Sequence, residues 1–230
     1  MQNDTLTIRP IAYVHSELSG KFGIPRQGIL ADQLEGKIIF TPEYRKDGII
    51  RGLEQFTHLW LLWGFSLSDS WKPMIRPPKL GGSTKVGVFA SRSPHRPNQL
   101  AMSAVRLAEI REEPGNGTVL IVSGIDLMDG TPIYDIKPYI PCYDSIPEAS
   151  SGYAVPSADR HSVSVPASIA SLFNDRQLSA IQQMLSLNPR PGYQNSPERI
   201  YHIVYAGYDL SFRIEPNGTV CICAAVRTAP

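Results

Sequence analysis

Two segments of this 230-residue chain concentrate the residue types that could do chemistry. They are Gly87–Asn98 and Asp126–Tyr139, and each joins a short apolar strand to a turn crowded with charged, proline and glycine residues. A turn of this kind holds a few functional groups rigidly at the end of a strand, where many binding and catalytic sites are built. We therefore expect the functional residues of the chain at these two turns.

The first turn carries Arg92 and Arg96, with His95 between them. Pro94 and Pro97 limit the backbone freedom around both arginines, which suits recognition of a carboxylate or phosphate by the forked guanidinium group. The alternative is that an arginine ties two loops together through backbone carbonyl groups. His95 could donate a hydrogen bond to a phosphate or act as a base.

The second segment supplies carboxylates. Asp126 ends the apolar run Val119–Ile125, so its side chain could face the mouth of a cleft. Asp129 precedes a Gly-Thr pair and could either act in catalysis or cap its own turn. Asp135 and Lys137 point the same way if the backbone is extended there, and a structural ion pair is the alternative role for them.

Two further features indicate a nucleic-acid partner. Tyr134 and Tyr139 could stack on a base, although an aromatic residue in a strand can equally belong to the core. No acidic residue lies between Asp69 and Glu109, while the basic residues in that interval are Lys72, Arg76, Lys79, Lys85, Arg92, Arg96 and Arg106. A stretch of one sign in a chain whose net charge is only +1 predicts an anionic partner on one face.

Several classes are disfavoured by what the sequence lacks. Gly-x-Gly-x-x-Gly, the P-loop pattern and Gly-x-Ser-x-Gly are absent, so a Rossmann unit, a P-loop hydrolase and an α/β-hydrolase lose their usual support. The three cysteines have no histidine at ligand spacing, so we expect no metal site. The N-terminus lacks signal-peptide features, and the longest apolar run, Leu59–Phe65, is too short to cross a bilayer. We expect a cytoplasmic protein with no membrane partner.

The first part of the chain is rich in strand signals. Short runs of branched and aromatic residues, separated by glycine and proline clusters, predict strands at Thr7–Val14, Lys37–Phe40, Thr57–Phe65, Val86–Ala90, Met102–Ile110, Thr118–Ile125 and Ile133–Ile140. No amphipathic helix of ordinary length separates them, which argues against a parallel sheet. The pattern predicts a mainly β fold with an N-terminal antiparallel β-barrel, including a hairpin at Pro114–Gly117.

The composition changes after Pro141. Ser145–Pro166 is rich in Ser, Ala and Pro, as in a linker or surface crossing. The apolar spacing of Asp175–Leu187 predicts a helix capped by Asn174 or Asp175, and strands are expected at Arg199–Tyr208 and Thr219–Val226. We therefore predict a barrel domain over residues 1–142, a crossing segment over 143–166, and a small α+β C-terminal domain over 167–230.

Taken together, these segments resemble the TrmO/TsaA-like (YaeB-like) tRNA methyltransferases along nearly the whole chain. The runs that carry the resemblance are long and specific: Phe22–Gln27, Arg51–Trp60, Arg76–Gly82, Gly87–Asn98, Asp126–Tyr139 and Pro189–Tyr193. One departure lies beside the first turn, where Gln99-Leu100-Ala101 stands in place of the family's Pro-Ile-Gly.

The resemblance implies an all-β barrel that binds S-adenosylmethionine without a Rossmann unit, near the interface of a homodimer. The family transfers a methyl group to N6 of N6-threonylcarbamoyladenosine, beside the anticodon of threonine tRNA. Carried over by motif, the residues that would contact the cofactor are Pro25, Arg26, Gln27, Ser66, Leu67, Arg92, Met102, Ser123, Gly124, Ile125 and Asp126.

The chemistry of such a transfer suggests the remaining site residues. A sulfonium donor already has a good leaving group, so the task is chiefly one of positioning, with a general base to take the proton of the acceptor nitrogen. The candidate catalytic residues are Asp126, Asp129, Lys137 and Tyr139, and those for binding the anticodon stem-loop are Lys79, Arg96, Asn98, Arg190 and Tyr193. Two alternatives stay open: a non-catalytic RNA-binding barrel, and a metal-dependent hydrolase using Asp126, Asp129 and Asp135.

Overall fold

The structure is a computed structural model that describes residues 5–68, 70–154, 160–190, 196 and 198–228. The strands, numbered in chain order, are β1 (Ala12–Ser16), β2 (Glu35–Phe40), β3 (His58–Gly64), β4 (Met74–Ile75), β5 (Val86–Gly87), β6 (Leu100–Glu113), β7 (Gly117–Ser123), β8 (Pro132–Pro138), β9 (Val163–Ser164), β10 (Tyr201–Tyr205), β11 (Tyr208–Ile214) and β12 (Val220–Arg227). The helices are α1 (Pro141–Asp144), α2 (Ala167–Ala170) and α3 (Asp175–Ser186). Within these ranges, no helix has the length and apolar character needed to cross a membrane.

Six strands form an antiparallel sheet in the order β1-β2-β7-β6-β3-β8, and the sheet closes into a barrel where β8 pairs with β1. Alternation of side chains explains why these strands form it. On β1, Ala12 and Val14 are buried and the residues between them are not; on β2, Ile38 and Phe40 are buried in the same way. The predicted hairpin between β6 and β7 is confirmed, because Asn116 donates its backbone N–H to Glu113 across that turn.

The prediction of a seventh barrel strand at Val86–Ala90 is wrong. Only Val86 and Gly87 are extended, and they pair with β4 outside the barrel. Val88–Ala90 instead forms a 3₁₀ turn whose Phe89 side chain is exposed. The long connection between β3 and β6 therefore sits on the end of the barrel rather than in its wall.

The C-terminal residues form a four-stranded sheet in the order β10-β11-β12-β9, with β9 parallel to β12. The run Arg199–Tyr208, expected to be one strand, is broken because Ala206 and Gly207 adopt positive φ values of 50° and 77° and turn the chain into a hairpin. β9 lies inside the segment predicted as a crossing. A two-residue strand paired with a partner so distant in sequence leaves no local signal.

The predicted helix is α3, and its start is confirmed in detail. Asn174 caps it by accepting a hydrogen bond from the backbone N–H of Gln177, whose side chain accepts one in return from the backbone N–H of Asn174. The apolar face of α3 packs into a core that is continuous with the interior of the barrel. The barrel, α3 and the C-terminal sheet therefore share one hydrophobic core.

Candidate functional site

The candidate site lies at one end of the barrel, which we call the mouth. At this end β3 and β7 finish and β6 begins. Three connections meet there: the β1–β2 loop (residues 17–34), the β3–β6 connection (65–99) and the β7–β8 loop (124–131). Both segments that the sequence singled out reach the mouth, the first through the β3–β6 connection and the second through the β7–β8 loop.

A turn at Pro25–Gly28 packs against the end of β7. A Cβ atom added to Gly28 would lie 1.8 Å from the carbonyl oxygen of Gly124, so the two backbones touch and leave no room for a side chain. The guanidinium of Arg92 donates a hydrogen bond to Oε1 of Gln27 in the same turn. The structure therefore brings Arg92, the Pro25–Gly28 turn and the Gly124 backbone together at the mouth.

Asp126 is held at the mouth by a chain of hydrogen bonds. The indole Nε1 of Trp63 donates to Oγ of Ser103 over 3.0 Å, and Ser103 Oγ donates to Oδ1 of Asp126 over 2.7 Å. The backbone N–H of Gly28 lies near the Asp126 carboxylate and favours its ionised form. Because the Trp63 N–H occupies the Ser103 oxygen as an acceptor, the serine proton is directed toward Asp126.

Burial raises the pKa of Asp126 above its ordinary value, since the ionised carboxylate loses hydration at this position. The hydrogen bond from Ser103, the nearby backbone N–H groups of Asp126 and Gly28, and the positive charge of Arg92 lower the pKa in part, without offsetting the effect of burial. A carboxylate with a raised pKa is a stronger base than an exposed one. Asp126 therefore has the environment expected of a general base.

The raised pKa predicts a pH-dependent difference between the wild type and Asp126→Asn. A carboxyl group whose pKa is higher in the folded than in the unfolded state gives stability that is lost as the pH rises through the folded pKa. Asparagine does not titrate, so the free energy of unfolding of the variant minus that of the wild type should increase from acidic to neutral pH. Urea unfolding of both proteins at several pH values measures this difference. A difference that does not change with pH would contradict it.

Of the other predicted cofactor residues, Ser66, Leu67 and Met102 are exposed near the mouth, whereas Ile125 is buried. Ser66 and Leu67 are exposed in the β3–β6 connection, where neighbouring Ser68 donates from Oγ to the Pro94 carbonyl over 3.3 Å. Met102 is 49% exposed on the outer face of β6, whereas adjacent Ser103 is 7% exposed and points inward. Ile125 has its side chain in the core, so only its backbone can face a ligand.

Three predicted catalytic residues are not gathered around Asp126. Asp129 is bonded to the end of β1 instead, because its Oδ1 accepts the backbone N–H of Ser16 over 3.1 Å. Lys137 pairs with Asp135 over 2.7 Å, the ion pair that the sequence left open. Tyr139 lies at the opposite end of the barrel, with its ring centroid 5.3 Å from that of Trp60.

Among the residues predicted to bind RNA, Arg96 is engaged within its own loop. It donates to the carbonyl of Ser91 over 2.6 Å and to that of Val88 over 3.3 Å, the loop-tying role left open above. Asn98 and Lys79 are exposed, Lys79 on the 3₁₀ turn Pro78–Leu80. Arg190 lies just beyond α3, and Tyr193 is outside the described residues.

The hydrolase alternative finds no support in the geometry. In the described residues no group of three or more His, Cys, Asp or Glu side chains could hold a metal ion. Asp126 is bonded to Ser103, Asp129 to the end of β1, and Asp135 to Lys137, so the three carboxylates do not converge.

Sequence reasoning missed three contributors to the site: Gly28, Ser103 and Trp63. Gly28 directly follows the family run that ends at Gln27, and a glycine beside such a turn is a signal of close backbone approach. Ser103 and Trp63 meet only because β3 and β6 pair in the register Leu61↔Ser103. No pattern local to either strand reveals that contact.

Fold and site together define a protein whose β-barrel mouth presents an arginine and a partly buried aspartate around a tight glycine turn. Comparison with known proteins gives the family. The family model of the tRNA-methyltransferase O N-terminal domain matches residues 13–145 of the sequence. The family model of the TrmO C-terminal domain matches residues 162–227. The chain belongs to the tRNA-methyltransferase O family.

Individual relatives are similar to this chain over most of its length. The chain is 36% identical over 225 residues to the tRNA (adenine(37)-N6)-methyltransferase of Escherichia coli, covering 90% of this chain and 93% of that one. It is 38% identical over 217 residues to a putative S-adenosylmethionine-dependent methyltransferase, RcsF, of Pseudomonas aeruginosa, covering 86% and 88%. The crystal structure of TrmO from Pseudomonas aeruginosa superposes with a TM-score of 0.78 at 30% identity, over 96% of this chain and 99% of that one.

Proposed function

We propose that this protein is an S-adenosylmethionine-dependent tRNA methyltransferase acting on N6 of N6-threonylcarbamoyladenosine, next to the anticodon of threonine tRNA. The observation that carries the proposal is the convergence of the Pro25–Gly28 turn, Arg92 and Asp126 at one barrel mouth. That mouth belongs to a chain whose Escherichia coli relative is named a tRNA (adenine(37)-N6)-methyltransferase.

The residues at the mouth suit the binding of S-adenosylmethionine. Arg92 is exposed and fixed by Gln27, so its free guanidinium edge can pair with the methionine carboxylate. The contact of Gly28 with Gly124 sets the position of the turn that would meet the rest of the molecule. S-adenosylmethionine supplies a methyl group on a positively charged sulfur that leaves as a neutral thioether.

Asp126 is the candidate general base. As the bond from the acceptor nitrogen to the methyl carbon forms and the carbon–sulfur bond breaks, the nitrogen must lose its proton. Asp126 can accept that proton through the carboxylate lone pairs that the hydrogen bond from Ser103 leaves unused. The carbonyl of the threonylcarbamoyl group makes that proton more acidic than that of an ordinary exocyclic amine, which brings it within reach of a carboxylate.

Several large apolar side chains are exposed on the connections that meet at the mouth and at the start of β6, and they support a homodimer. This set, which we call the belt, is Ile29, Leu67, Trp71, Met74, Phe89, Leu100 and Met102. Large apolar side chains exposed in one region of a protein are a feature of interaction surfaces. We propose that a second copy of the chain covers the belt, so that the rim residues Leu67 and Met102 face the partner's mouth, and that the dimer works in the cytoplasm. A monomer at micromolar concentration in sedimentation equilibrium would contradict the dimer.

The acid-free stretch gives a prediction about tRNA. Lys79→Ala is expected to weaken tRNA binding and to reduce the slope of log affinity against log salt concentration by roughly one, because one phosphate contact is lost. A salt titration of binding measures both effects. Lys46→Ala is the matched control, since Lys46 is an exposed lysine at the opposite end of the barrel. Equal slopes for Lys79→Ala and the wild type would remove Lys79 from the interface.

Labelled S-adenosylmethionine tests the function itself. Purified protein is incubated with tRNA that carries the threonylcarbamoyl group but lacks the final methyl group, and label in the tRNA is counted. Transfer of label is the expected result. Binding of tRNA without any transfer would favour the alternative of a non-catalytic RNA-binding barrel.

A further inference from the structure

The β1–β2 loop is the segment that carries the Pro25–Gly28 turn, and both of its ends are held by the C-terminal domain. At its start, Glu17 accepts hydrogen bonds from Arg176 and Tyr205, each over 2.8 Å. The next residue, Leu18, forms a β-bridge with Tyr205 of β10. Gly23 sits so close to β10 that an added Cβ would lie 2.4 Å from the side chain of Ile203.

Hydrogen bonds from α3 and from Arg160 hold the last residues of the loop. Gln183 donates from Nε2 to Oδ1 of Asp32 over 2.7 Å and accepts the backbone N–H of Gln33 at its Oε1 over 3.1 Å. Arg176 donates to the carbonyl of Gln33 over 3.3 Å, and Arg160 donates to that of Leu30 over 2.9 Å. In each of these contacts the side chain that holds the loop belongs to the C-terminal part of the chain.

The contacts at the two ends of the loop differ in burial: the hydrogen bonds to Glu17 are partly buried, whereas the one from Gln183 to Asp32 is exposed. The Glu17 carboxylate loses hydration by burial, yet its hydrogen bonds from Gln177, Tyr205 and Arg176 lower its pKa below the ordinary value. This end is a multiply bonded anchor that supports the shared core. Gln183, by contrast, holds the loop by two hydrogen bonds at the surface, beginning four residues after Gly28. It can be changed without opening the core.

We propose that Gln183 is a positioning residue for the Pro25–Gly28 turn, acting through Asp32 and Gln33. The proposal rests on the function proposed above, because it gives the C-terminal domain a part in shaping the cofactor site. A loop without regular strand structure has many conformations, and fixing it close to the turn removes most of them before the ligand arrives. S-adenosylmethionine affinity then depends on a residue of α3 that lies outside the mouth.

A charge substitution with a designed rescue tests this role. In Gln183→Glu the new carboxylate faces Asp32 at hydrogen-bonding distance, and the two like charges repel. The double variant Asp32→Asn/Gln183→Glu restores the contact, because the amide introduced at position 32 donates to one oxygen of the new carboxylate while the other oxygen still accepts the Gln33 N–H. Gln182→Glu is the matched control, since it adds the same charge at the adjacent exposed position of α3.

Hydrogen–deuterium exchange, calorimetry and melting temperatures of the full chain together distinguish a positioning role of Gln183 from a loss of stability and from failure of the proposed function. Hydrogen–deuterium exchange of the amides of residues 26–30, without ligand, should be faster in Gln183→Glu and return to wild-type rates in the double variant. Calorimetry should show S-adenosylmethionine binding about fivefold weaker in Gln183→Glu, recovered in the double variant and unchanged in Gln182→Glu. The melting temperature of each variant is measured in parallel.

Three outcomes would overturn the positioning role: unchanged exchange at residues 26–30, a lower melting temperature with unchanged affinity, or a double variant that stays impaired. Failure of the proposed function looks different. In that case the wild type does not bind S-adenosylmethionine, while the exchange rates still respond to Gln183→Glu and to its rescue.

Discussion

Replacing Gly28 with alanine is expected to lower kcat/KM for methyl transfer by roughly a hundredfold, the cost of misplacing a binding element by about 1 Å. The new Cβ would lie 1.8 Å from the Gly124 oxygen, 2.6 Å from its carbonyl carbon and 3.1 Å from the carbonyl carbon of Ile125. All three are backbone atoms at the end of β7, so the clash cannot be relieved by a side-chain rotation. The Pro25–Gly28 turn must move away from Arg92 and Asp126.

Gly87→Ala is the matched control for this prediction. Gly87 is exposed in β5, its φ of −61° suits any residue, and a Cβ there meets no atom within 4 Å. The control is expected to leave the melting temperature unchanged, whereas Gly28→Ala should lower it slightly and weaken S-adenosylmethionine binding in calorimetry. Wild-type affinity in Gly28→Ala would show that the tight contact with Gly124 does not shape the ligand site.

Arg92→Ala is expected to weaken S-adenosylmethionine binding by about 10- to 100-fold, the range given by losing a hydrogen bond to a charged partner. Arg92→Lys should recover only part of the affinity. A lysine keeps the charge but cannot hold Gln27 with one edge of a planar fork and a carboxylate with the other. Because the Arg92 side chain is exposed, the melting temperature should change little in either variant.

The control for Arg92 is Arg213→Ala, which removes an exposed arginine from the C-terminal sheet. Its S-adenosylmethionine affinity, measured by calorimetry, should equal that of the wild type. If Arg92→Ala also binds as the wild type does, Arg92 has no role in holding the methionine carboxylate and the ligand must be oriented by other residues.

Much of the fold could be predicted because its signals are local. The alternation on β1 and β2, the hairpin at Pro114–Gly117 and the capping box at Asn174 are each complete within a few residues. The errors arose where distant pairing decides. Val86–Ala90 has strand composition but pairs with no barrel strand, and its first two residues pair only with β4.

The candidate site could also be predicted where its signals are local in sequence. Gln27, Arg92 and Asp126 each lie in a distinctive turn, and the family resemblance places those turns together. The sequence did not reveal that the two ends of the segment Asp126–Tyr139 lie at opposite ends of the barrel. Asp126 and Tyr139 share one run of sequence, but β8 rises about 3.3 Å per residue and carries Tyr139 to the opposite end of the barrel. The link from Trp63 through Ser103 to Asp126 depends on strand register, which no local pattern fixes.

Mass spectrometry of anticodon-loop nucleosides tests the central claim most directly. Threonine tRNA carrying N6-threonylcarbamoyladenosine is incubated with the purified protein and S-adenosylmethionine, then digested to nucleosides. We predict that this nucleoside is replaced by one that is heavier by a single methyl group on N6, and that the replacement is much slower with Gly28→Ala and Arg92→Ala. An unchanged nucleoside, from wild-type protein that binds both S-adenosylmethionine and the tRNA, would contradict the account.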